Sequence, residues 1–317
     1  MVRAGFTLTR SRIIALVVGL YILLVVAASL YFRVSLSPDR FVLLLVIAGL
    51  ATGRVRQFLK DWSIFLIVLV AWQVLTGYSR DFGHLRPHIT EMIVFDRWLF
   101  HGHLPTIWLQ SHFYHPGHLA WYDVASAVLY LLHFVFPIAV AFVLWVWRRT
   151  IFVEFMMSFL VLALAGFATF ILFPAAPPWL AAEWHYLPPV HRVLYKGIMW
   201  FGGQQSYSVL YNWMYQQHAW DVVGAVPSEH AGFPFLCFLY ARQAWPARGW
   251  FVLPYCLAIC VAVVYMGEHY IMDVVVGILY ATLAYGAIQV ALRRFAGRPL
   301  EEAPATKKPA VSDSALA

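Results

Sequence analysis

Long apolar segments separated by short polar ones dominate this chain, and their lengths indicate its structural class. Crossing the roughly 30 Å hydrocarbon core of a bilayer takes about 20 helical residues, because each residue of an α-helix rises about 1.5 Å. Eight segments suit such spans: residues 13–32, 36–52, 62–78, 123–147, 151–173, 228–244, 250–266 and 272–293. The pattern therefore predicts an all-α, polytopic membrane helical bundle with about eight transmembrane helices.

Composition supports this class and excludes an ordinary soluble protein. Hydrophobic residues make up 62% of the chain and charged residues 12%, whereas soluble domains average about 45–50% and about 25%. The first segment follows three arginines and contains Ala27-Ala28-Ser29, which resembles a signal cleavage site. Because seven further spans follow, we expect an uncleaved anchor instead.

The distribution of Lys and Arg predicts the orientation in the membrane. If both termini are cytoplasmic, 15 of the 22 Lys and Arg residues lie on the cytoplasmic side, in agreement with the positive-inside rule. The net charge of +7 then reflects topology and contact with anionic lipid, and we expect no nucleic-acid partner. Two long outside segments, 79–122 and 174–227, place the expected functional surface on the extracytoplasmic side.

The same pattern divides the chain into three regions. Residues 1–78 are predicted to form N-terminal transmembrane helices and residues 79–297 a membrane domain. Residues 298–317 are rich in Pro, Ala and charge, so we expect a disordered cytoplasmic tail. All three cysteines fall inside predicted spans, so no disulfide framework is indicated.

Two polar motifs at the outer ends of predicted spans offer chemistry, and the first is Glu268-His269-Tyr270-x-x-Asp273. Residues at i and i+4 share a helix face, so Asp273 can accept a hydrogen bond from one ring nitrogen of His269. That bond fixes the tautomer and leaves the other nitrogen free to attack. Gly277 lies a further four residues on, on the same helix face, and permits close approach of another backbone. The alternative is a histidine at the membrane interface that a nearby Asp merely caps.

The second motif is Pro227-Ser228-Glu229-His230. Ser228 is a favourable helix N-cap, so the first free N–H groups of the helix point outward, where an anion such as phosphate binds. His230 stands in the first turn of that helix, on the same predicted side as His269. Glu229 is unusual here, because a carboxylate beside a phosphate site repels the phosphate unless it turns away. A simple Pro-Ser helix start with an incidental His is the alternative.

Together the two motifs resemble the second and third signature motifs of the type 2 phosphatidic acid phosphatase superfamily, which comprises membrane lipid phosphatases and phosphotransferases. The resemblance covers about residues 90–285 and implies a six-helix core of that type. Other segments are similar to its inositol phosphorylceramide synthase branch: Phe173–Trp179, Tyr130-x-x-His133-Phe134-x-x-Pro137, Asp96–Phe100 and Pro105–Gln110.

The resemblance implies a role for each residue of the two motifs. Carried onto this sequence, it makes His269 the nucleophile and Asp273 the group that orients it. His230 becomes the acid that protonates the leaving group. Ser228 and nearby N–H groups would bind phosphate oxygens.

This chain departs from the phosphatase pattern where cationic side chains normally bind phosphate. The pattern has Ser-Arg shortly before the nucleophilic His, where Ala262-Val263 stands here, and its first motif is replaced by Pro177-Pro178-Trp179. These departures favour the synthase-like branch, whose substrate site would include the proline-rich segment. Arg192 and Lys196, which would share a face at helical spacing, are the leading substitutes for the missing cations; solvated loop charges are the alternative.

Histidines outside the two motifs leave further possibilities open. His133 lies well inside a span and is either a packed hydrogen-bonding residue or, as we favour, part of the pocket floor. Metal binding in the first outside loop is conceivable, but no nearby Cys completes a tight site. We expect headgroup contact or interfacial polarity there, with no metal and no cofactor. The loop histidines are His84, His88, His101, His103, His112, His115 and His118.

The sequence thus predicts an integral-membrane phosphotransferase that acts on lipid phosphoesters at the extracytoplasmic face through a phosphohistidine intermediate. Its partners would be a membrane phospholipid or lipid-linked phosphate and an alcohol acceptor. A lipid phosphatase with water as the acceptor is one alternative. A non-enzymatic lipid or metal carrier that uses the same helical scaffold is the other.

Overall fold

The computed structural model of the protein describes Gly49 and residues 53–63, 65, 86–200 and 223–296. Within these residues the fold is α-helical, and the extended pairing is limited to isolated bridges at Ala175. The all-α class is therefore confirmed for the described part of the chain. Four predictions lie largely or wholly outside it: the spans 13–32, 36–52 and 62–78 and the tail 298–317.

The described helices form a bundle with short helices in its connections. Helices α3, α4, α6, α7 and α8 pack against one another, whereas α1, α2 and α5 lie in the connecting segments. Residues 55–63 and 193–200 are also helical, and a short 3₁₀ helix, Arg248–Val252, leads into α7. The bounds are α1 Thr90–Leu99, α2 Pro105–Phe113, α3 Trp121–Trp147, α4 Arg149–Leu172, α5 Pro178–Glu183, α6 Glu229–Ala244, α7 Leu253–Tyr265 and α8 Ile271–Ala296.

Several of the described helices can cross a membrane. Arg149–Leu172, Arg248–Tyr265 and Ile271–Arg294 are long and apolar enough, and a fourth span is added if the two halves of α3 count as one. They match four predicted segments within a few residues. α6 covers the predicted segment 228–244, but its 16 residues reach only about 24 Å, short of the roughly 30 Å core. The protein is an integral membrane protein, and the total of eight spans stays a prediction.

A bend of 50° divides α3 into Trp121–His133 and Val135–Trp147. Pro137 lies one turn beyond this bend. Proline lacks an N–H, and its ring crowds the carbonyl group four residues earlier, which is that of His133. The helix therefore kinks at a residue whose side chain enters the histidine site described below.

Partly buried polar contacts fasten α4, α6 and α8 at the ends remote from His230 and His269. The carboxylate of Glu154 on α4 accepts hydrogen bonds from Gln243 on α6 and Gln289 on α8, both at 2.8 Å. Polar groups within a membrane are costly unless they are paired. This contact therefore fixes how the three helices lie against one another.

A close backbone contact lies where α6 crosses α8. A Cβ atom on Gly277 would collide with the carbonyl oxygen of Ser228, and one on Gly232 would lie 3.0 Å from the carbonyl oxygen of Gly277. The N–H of Ser228 also donates to the carbonyl oxygen of Asp273 at 3.0 Å. The close approach predicted at Gly277 is thus confirmed, and it brings the first turns of both helices together.

Gly277→Ala should force these two first turns apart, because the added methyl group meets backbone rather than a side chain that can move. We expect the detergent-purified variant to unfold at a clearly lower temperature than the wild type. Gly286→Ala on the same helix is the matched control, since a Cβ there has no neighbour within 4 Å. Alanine forms helix better than glycine by up to about 1 kcal/mol, so the control should be neutral or slightly stabilised. Equal unfolding temperatures for the two variants would contradict the crossing.

Candidate active site

His269 lies two residues before α8, and only 5% of its surface is exposed. Its Nδ1 is 3.0 Å from the carbonyl oxygen of Ala225 and 3.3 Å from Oδ2 of Asp273. A carbonyl oxygen only accepts hydrogen bonds, so Nδ1 carries the proton and donates it. Nε2 of the neutral ring therefore keeps its lone pair, which is the form that a nucleophile needs.

The lone pair of His269 faces His230. Nδ1 of His230 lies 3.2 Å from Nε2 of His269, and because that Nε2 accepts, Nδ1 of His230 donates. The His230 ring packs on Tyr130 and His133 of α3, with ring centroids 4.1 Å and 4.2 Å apart. The fold thus brings the side chains of His269, His230 and Asp273 together, with His133 beside them. Their chemical roles stay predictions.

Asp273 is held in place at the start of α8. Its Oδ2 accepts the N–H of Tyr270 at 2.8 Å in addition to its contact with His269. The side chain is fully buried, and Oδ1 has no hydrogen-bond partner in the part of the chain that the structure describes. One carboxylate oxygen therefore serves both the helix start and the histidine.

Sequence reasoning gave no role to Asp96, which the structure places against the same helix start. This fully buried residue of α1 accepts N–H hydrogen bonds from Ile271 and Met272, each at 3.0 Å. Burial raises the pKa of Asp96 to about 6, although the two N–H donors oppose the rise and the charge of Asp273 adds to it. The similarity of Asp96–Phe100 to the synthase branch was the only sequence signal that pointed to it.

The proline-rich segment supports the backbone around His269. The carbonyl oxygen of Ala175 accepts the N–H of Ala225 at 3.1 Å, so it positions the residue that receives Nδ1 of His269. The N–H of Trp179 donates to the carbonyl oxygen of Gly267 at 3.1 Å. This segment therefore fixes both the loop before His269 and the residue whose carbonyl oxygen accepts its Nδ1–H.

Pro178 is the first residue of α5 and Pro177 its N-cap, and the missing N–H of proline costs no helical bond at a helix start. Both prolines and Trp179 are buried. The hydrogen bond from Trp179 to Gly267 gives this segment a supporting role for the His269 loop. Direct contact of Pro177, Pro178 or Trp179 with a substrate stays a prediction.

Of the two predicted phosphate-binding cations, Arg192 lies next to the loop before α8. Its guanidinium carbon is 3.8 Å from the centroid of the Trp179 ring, and its Nη2 is 3.9 Å from Oε1 of Glu268. Lys196 has different neighbours, because its Nζ donates to the carbonyl oxygen of His115 at 3.0 Å. Arg192 precedes the helical stretch that contains Lys196, so the shared helix face expected from their spacing does not form.

Gln110 is a second residue that sequence reasoning missed, and it fixes the backbone beside Arg192. Its side chain accepts the N–H of His191 and donates to the carbonyl oxygen of the same residue, both at 2.8 Å. It also donates to the carbonyl oxygen of Tyr265 at 2.8 Å. Gln110 therefore ties the segment that carries Arg192 to the end of α7.

The structure explains the unusual Glu229. Ser228 precedes α6 as predicted, and its fully buried Oγ has no hydrogen-bond partner among the described residues. The Glu229 side chain faces α4, since a Cβ on Gly166 would lie 2.6 Å from its Oε1. His230 faces α3 instead. The carboxylate thus points away from the histidine pair, so it would not repel a phosphate bound there.

The described side chains include no group of three or more His, Cys, Asp or Glu residues that could hold a metal ion. In the segment predicted to be the first outside loop, His88 contacts Glu91 at 2.6 Å, and this hydrogen bond lowers the pKa of the Glu91 carboxyl. His84 lies outside the described residues, and the role of the loop stays a prediction. The remaining loop histidines have exposed side chains: His101, His103, His112, His115 and His118.

Comparison with known proteins places this fold and site among related chains. Residues 90–287 match the sequence profile of the PAP2 superfamily. The phosphoinositol dihydroceramide synthase of Bacteroides thetaiotaomicron is 26% identical over 302 residues, which are 90% of this chain and 93% of that protein. The inositol phosphorylceramide synthase catalytic subunit aur1 of Schizosaccharomyces pombe is 26% identical over 177 residues, which are 51% of this chain and 39% of that protein. No solved structure matches the chain.

The matched region runs from the start of α1 into α8 and contains the whole histidine site. The matched family and the two relatives indicate an integral membrane enzyme that acts on lipid phosphoesters. The chain belongs to the PAP2 superfamily, the type 2 phosphatidic acid phosphatases and their relatives. Its curated relatives are inositol phosphorylceramide synthases, so the similarity to that branch is confirmed.

Gly267→Ala should displace the loop that carries His269. Gly267 has a φ of 77°, and an added Cβ would lie 2.6 Å from Val190. A shift of about 1 Å in a reacting group can cost about 100-fold in rate, so we expect at least about tenfold slower phospholipid turnover per folded molecule.

Gly117→Ala is the matched control for this variant. Gly117 has a φ of 78° but no atom within 4 Å of an added Cβ, so it bears the same backbone strain, about 1–2 kcal/mol, without the clash. Its turnover should stay near that of the wild type. Equal activity losses in the two variants would contradict the placement of the Gly267 loop.

Proposed function

We propose that this protein is a lipid phosphotransferase in which His269 attacks phosphorus and carries the phosphoryl headgroup as a phosphohistidine. The observation that carries the proposal is the Nδ1 environment of His269, which leaves Nε2 with a lone pair that faces His230 at 3.2 Å. Asp273 would keep the ring in that tautomer. His269 would then act as the nucleophile and His230 as the acid.

In the first half-reaction, Nε2 of His269 would bond to phosphorus while the bond from phosphorus to the lipid oxygen breaks. His230 would give its proton to that oxygen, so that a neutral alcohol departs. In the second half-reaction, an acceptor hydroxyl would lose its proton to His230 and attack phosphorus, which releases His269. The hydrogen bond between the two histidines must open to admit the phosphate, so phosphorus would lie between the rings.

The negative charge of the phosphate needs compensation, because a buried unpaired charge is costly. Protonated His230 would supply part of it. Arg192 is our candidate for the rest, since its guanidinium lies 3.9 Å from Glu268 in the His269 loop and Gln110 binds the backbone of the preceding residue, His191. The buried Oγ of Ser228 could donate a hydrogen bond to a phosphate oxygen. Lys196 donates to a loop carbonyl oxygen instead, and we assign it no contact with the phosphate.

The names of the relatives indicate the substrates. One is a phosphoinositol dihydroceramide synthase and the other an inositol phosphorylceramide synthase subunit. We therefore propose a phosphoinositol lipid as donor and a ceramide-type alcohol as acceptor. Tyr130 and His133, which pack on His230 from the bent helix α3, would line the approach of the acceptor hydroxyl. The site would face the extracytoplasmic side, as the distribution of Lys and Arg predicts.

Hydrolysis, with water as the acceptor, is the second candidate. Ala262 and Val263 occupy the places of the phosphatase Ser and Arg, and both are buried in an apolar cluster. The absence of cationic side chains at these two positions favours transfer over ordinary phosphatidate hydrolysis. Membership of an enzyme superfamily argues against the non-enzymatic carrier.

A transfer assay tests this proposal. Purified protein in EDTA should move label from inositol-labelled phosphatidylinositol to added ceramide and release little free inositol phosphate. His269→Ala should lower transfer by at least about 10³-fold, because it removes the nucleophile. His103→Ala, a histidine change on the exposed loop, is the matched control and should stay active. Free inositol phosphate as the main product, or loss of transfer in EDTA, would count against the proposal.

The pH dependence tests the pairing of the two histidines. The first half-reaction requires a neutral His269 and a protonated His230 together, so kcat/KM should follow a bell-shaped profile. His230→Ala should remove one limb and lower the rate by about 10²- to 10⁴-fold, the usual contribution of a general acid. A monotonic wild-type profile that His230→Ala leaves unchanged would rule out this assignment.

A further inference from the structure

We infer that Asp96 is a positioning residue for this reaction. From α1 it caps the start of α8, and it thereby fixes Asp273 against His269. The inference rests on the proposed function, because it concerns the support of the same nucleophile. Asp96 touches neither His269 nor the expected position of the phosphate, so it would act through the helix start alone.

The residue that precedes α8 supplies no side-chain cap for the first N–H groups of this helix. The first N–H groups of a helix have no partner within the helix, and polar side chains such as Ser, Thr, Asp or Asn usually supply one at the N-cap position. Tyr270 occupies that position and has no such group. Asp96 instead accepts the N–H groups of Ile271 and Met272, each at 3.0 Å, and Asp273 accepts that of Tyr270 at 2.8 Å.

The two carboxylates therefore divide the donors of one helix start between them. Without Asp96, the N–H groups of Ile271 and Met272 would be buried without a partner, which is costly. Asp273 lies in the same first helical turn, and its Oδ1 has no partner among the described residues. Those donors would draw Asp273 away from Nδ1 of His269, and the catalytic histidine would lose its fixed orientation.

Asp96 is rigidly placed for this role. It is fully buried, and its neighbours Met92 and Ile93 on α1 belong to one apolar cluster with Tyr270 and Ala225. Ala225 supplies the carbonyl oxygen that receives Nδ1 of His269. A single packed cluster thus holds both the cap of α8 and the second hydrogen-bond partner of the nucleophile.

Asp96→Asn is the sharpest test, because it keeps the size of the side chain but replaces one acceptor oxygen by an NH₂ group that faces an N–H donor. We expect kcat to fall by about 10- to 100-fold, as for a small misplacement of a reacting group, with KM within about twofold of the wild type. Asp96→Ala, which removes both acceptors, should fall further. Glu183→Gln, the same chemical change at an exposed helix end, is the matched control and should leave kcat unchanged.

Single-turnover kinetics of the full-length protein separate positioning from loss of folded protein. A positioning role predicts a lower rate constant for Asp96→Asn at full amplitude. A wild-type rate constant, or a reduced amplitude at an unchanged rate constant, would overturn the inference. His269→Ala is measured alongside: if it is inactive while Asp96→Asn behaves as the wild type, only the inference about Asp96 fails. If His269→Ala stays active, the proposed mechanism fails and this inference fails with it.

Discussion

The crossing of α6 and α8 is the constraint on which the active site depends. Each helix contributes one histidine at its start, and the histidines meet only because Gly232 and Gly277 let the two backbones touch. A larger side chain at the crossing would open the 3.2 Å contact between the His230 and His269 rings. At the far ends of the same two helices, Gln243 and Gln289 both donate to Glu154. These bonds also fix how α6 and α8 lie against each other.

The parts of the site that depend on local spacing could be predicted from the sequence. The spacing of four residues correctly predicted the contact of Asp273 with His269, although α8 begins only at Ile271, and Ser228 marks the start of α6. Apolar segment lengths likewise predicted the described spanning helices within a few residues, because a bilayer demands a fixed length of apolar helix. The close backbone approach at Gly277 was also predicted, because Gly277 lies one helical turn after Asp273 on the same face of α8.

The parts of the site that depend on tertiary contacts could not be predicted. Asp96 and Gln110 bind backbone groups far away in sequence, and Ala225 acts through its own backbone carbonyl oxygen. A bond to backbone requires no partner side chain that a motif could reveal. The orientation of Glu229 toward α4 depends on a neighbouring glycine, which no local pattern indicates. The shared face of Arg192 and Lys196 failed to form because the helix begins one residue after Arg192.

A covalent headgroup on His269 is the central claim of this account, and it can be measured directly. The protein would be incubated with inositol-labelled phosphatidylinositol, quenched at alkaline pH to preserve phosphohistidine, and digested for peptide mapping. The account predicts label on the peptide that contains His269 when donor alone is present, and loss of that label when ceramide is added. Label on another residue, or active transfer with no labelled protein under rapid quench, would contradict it.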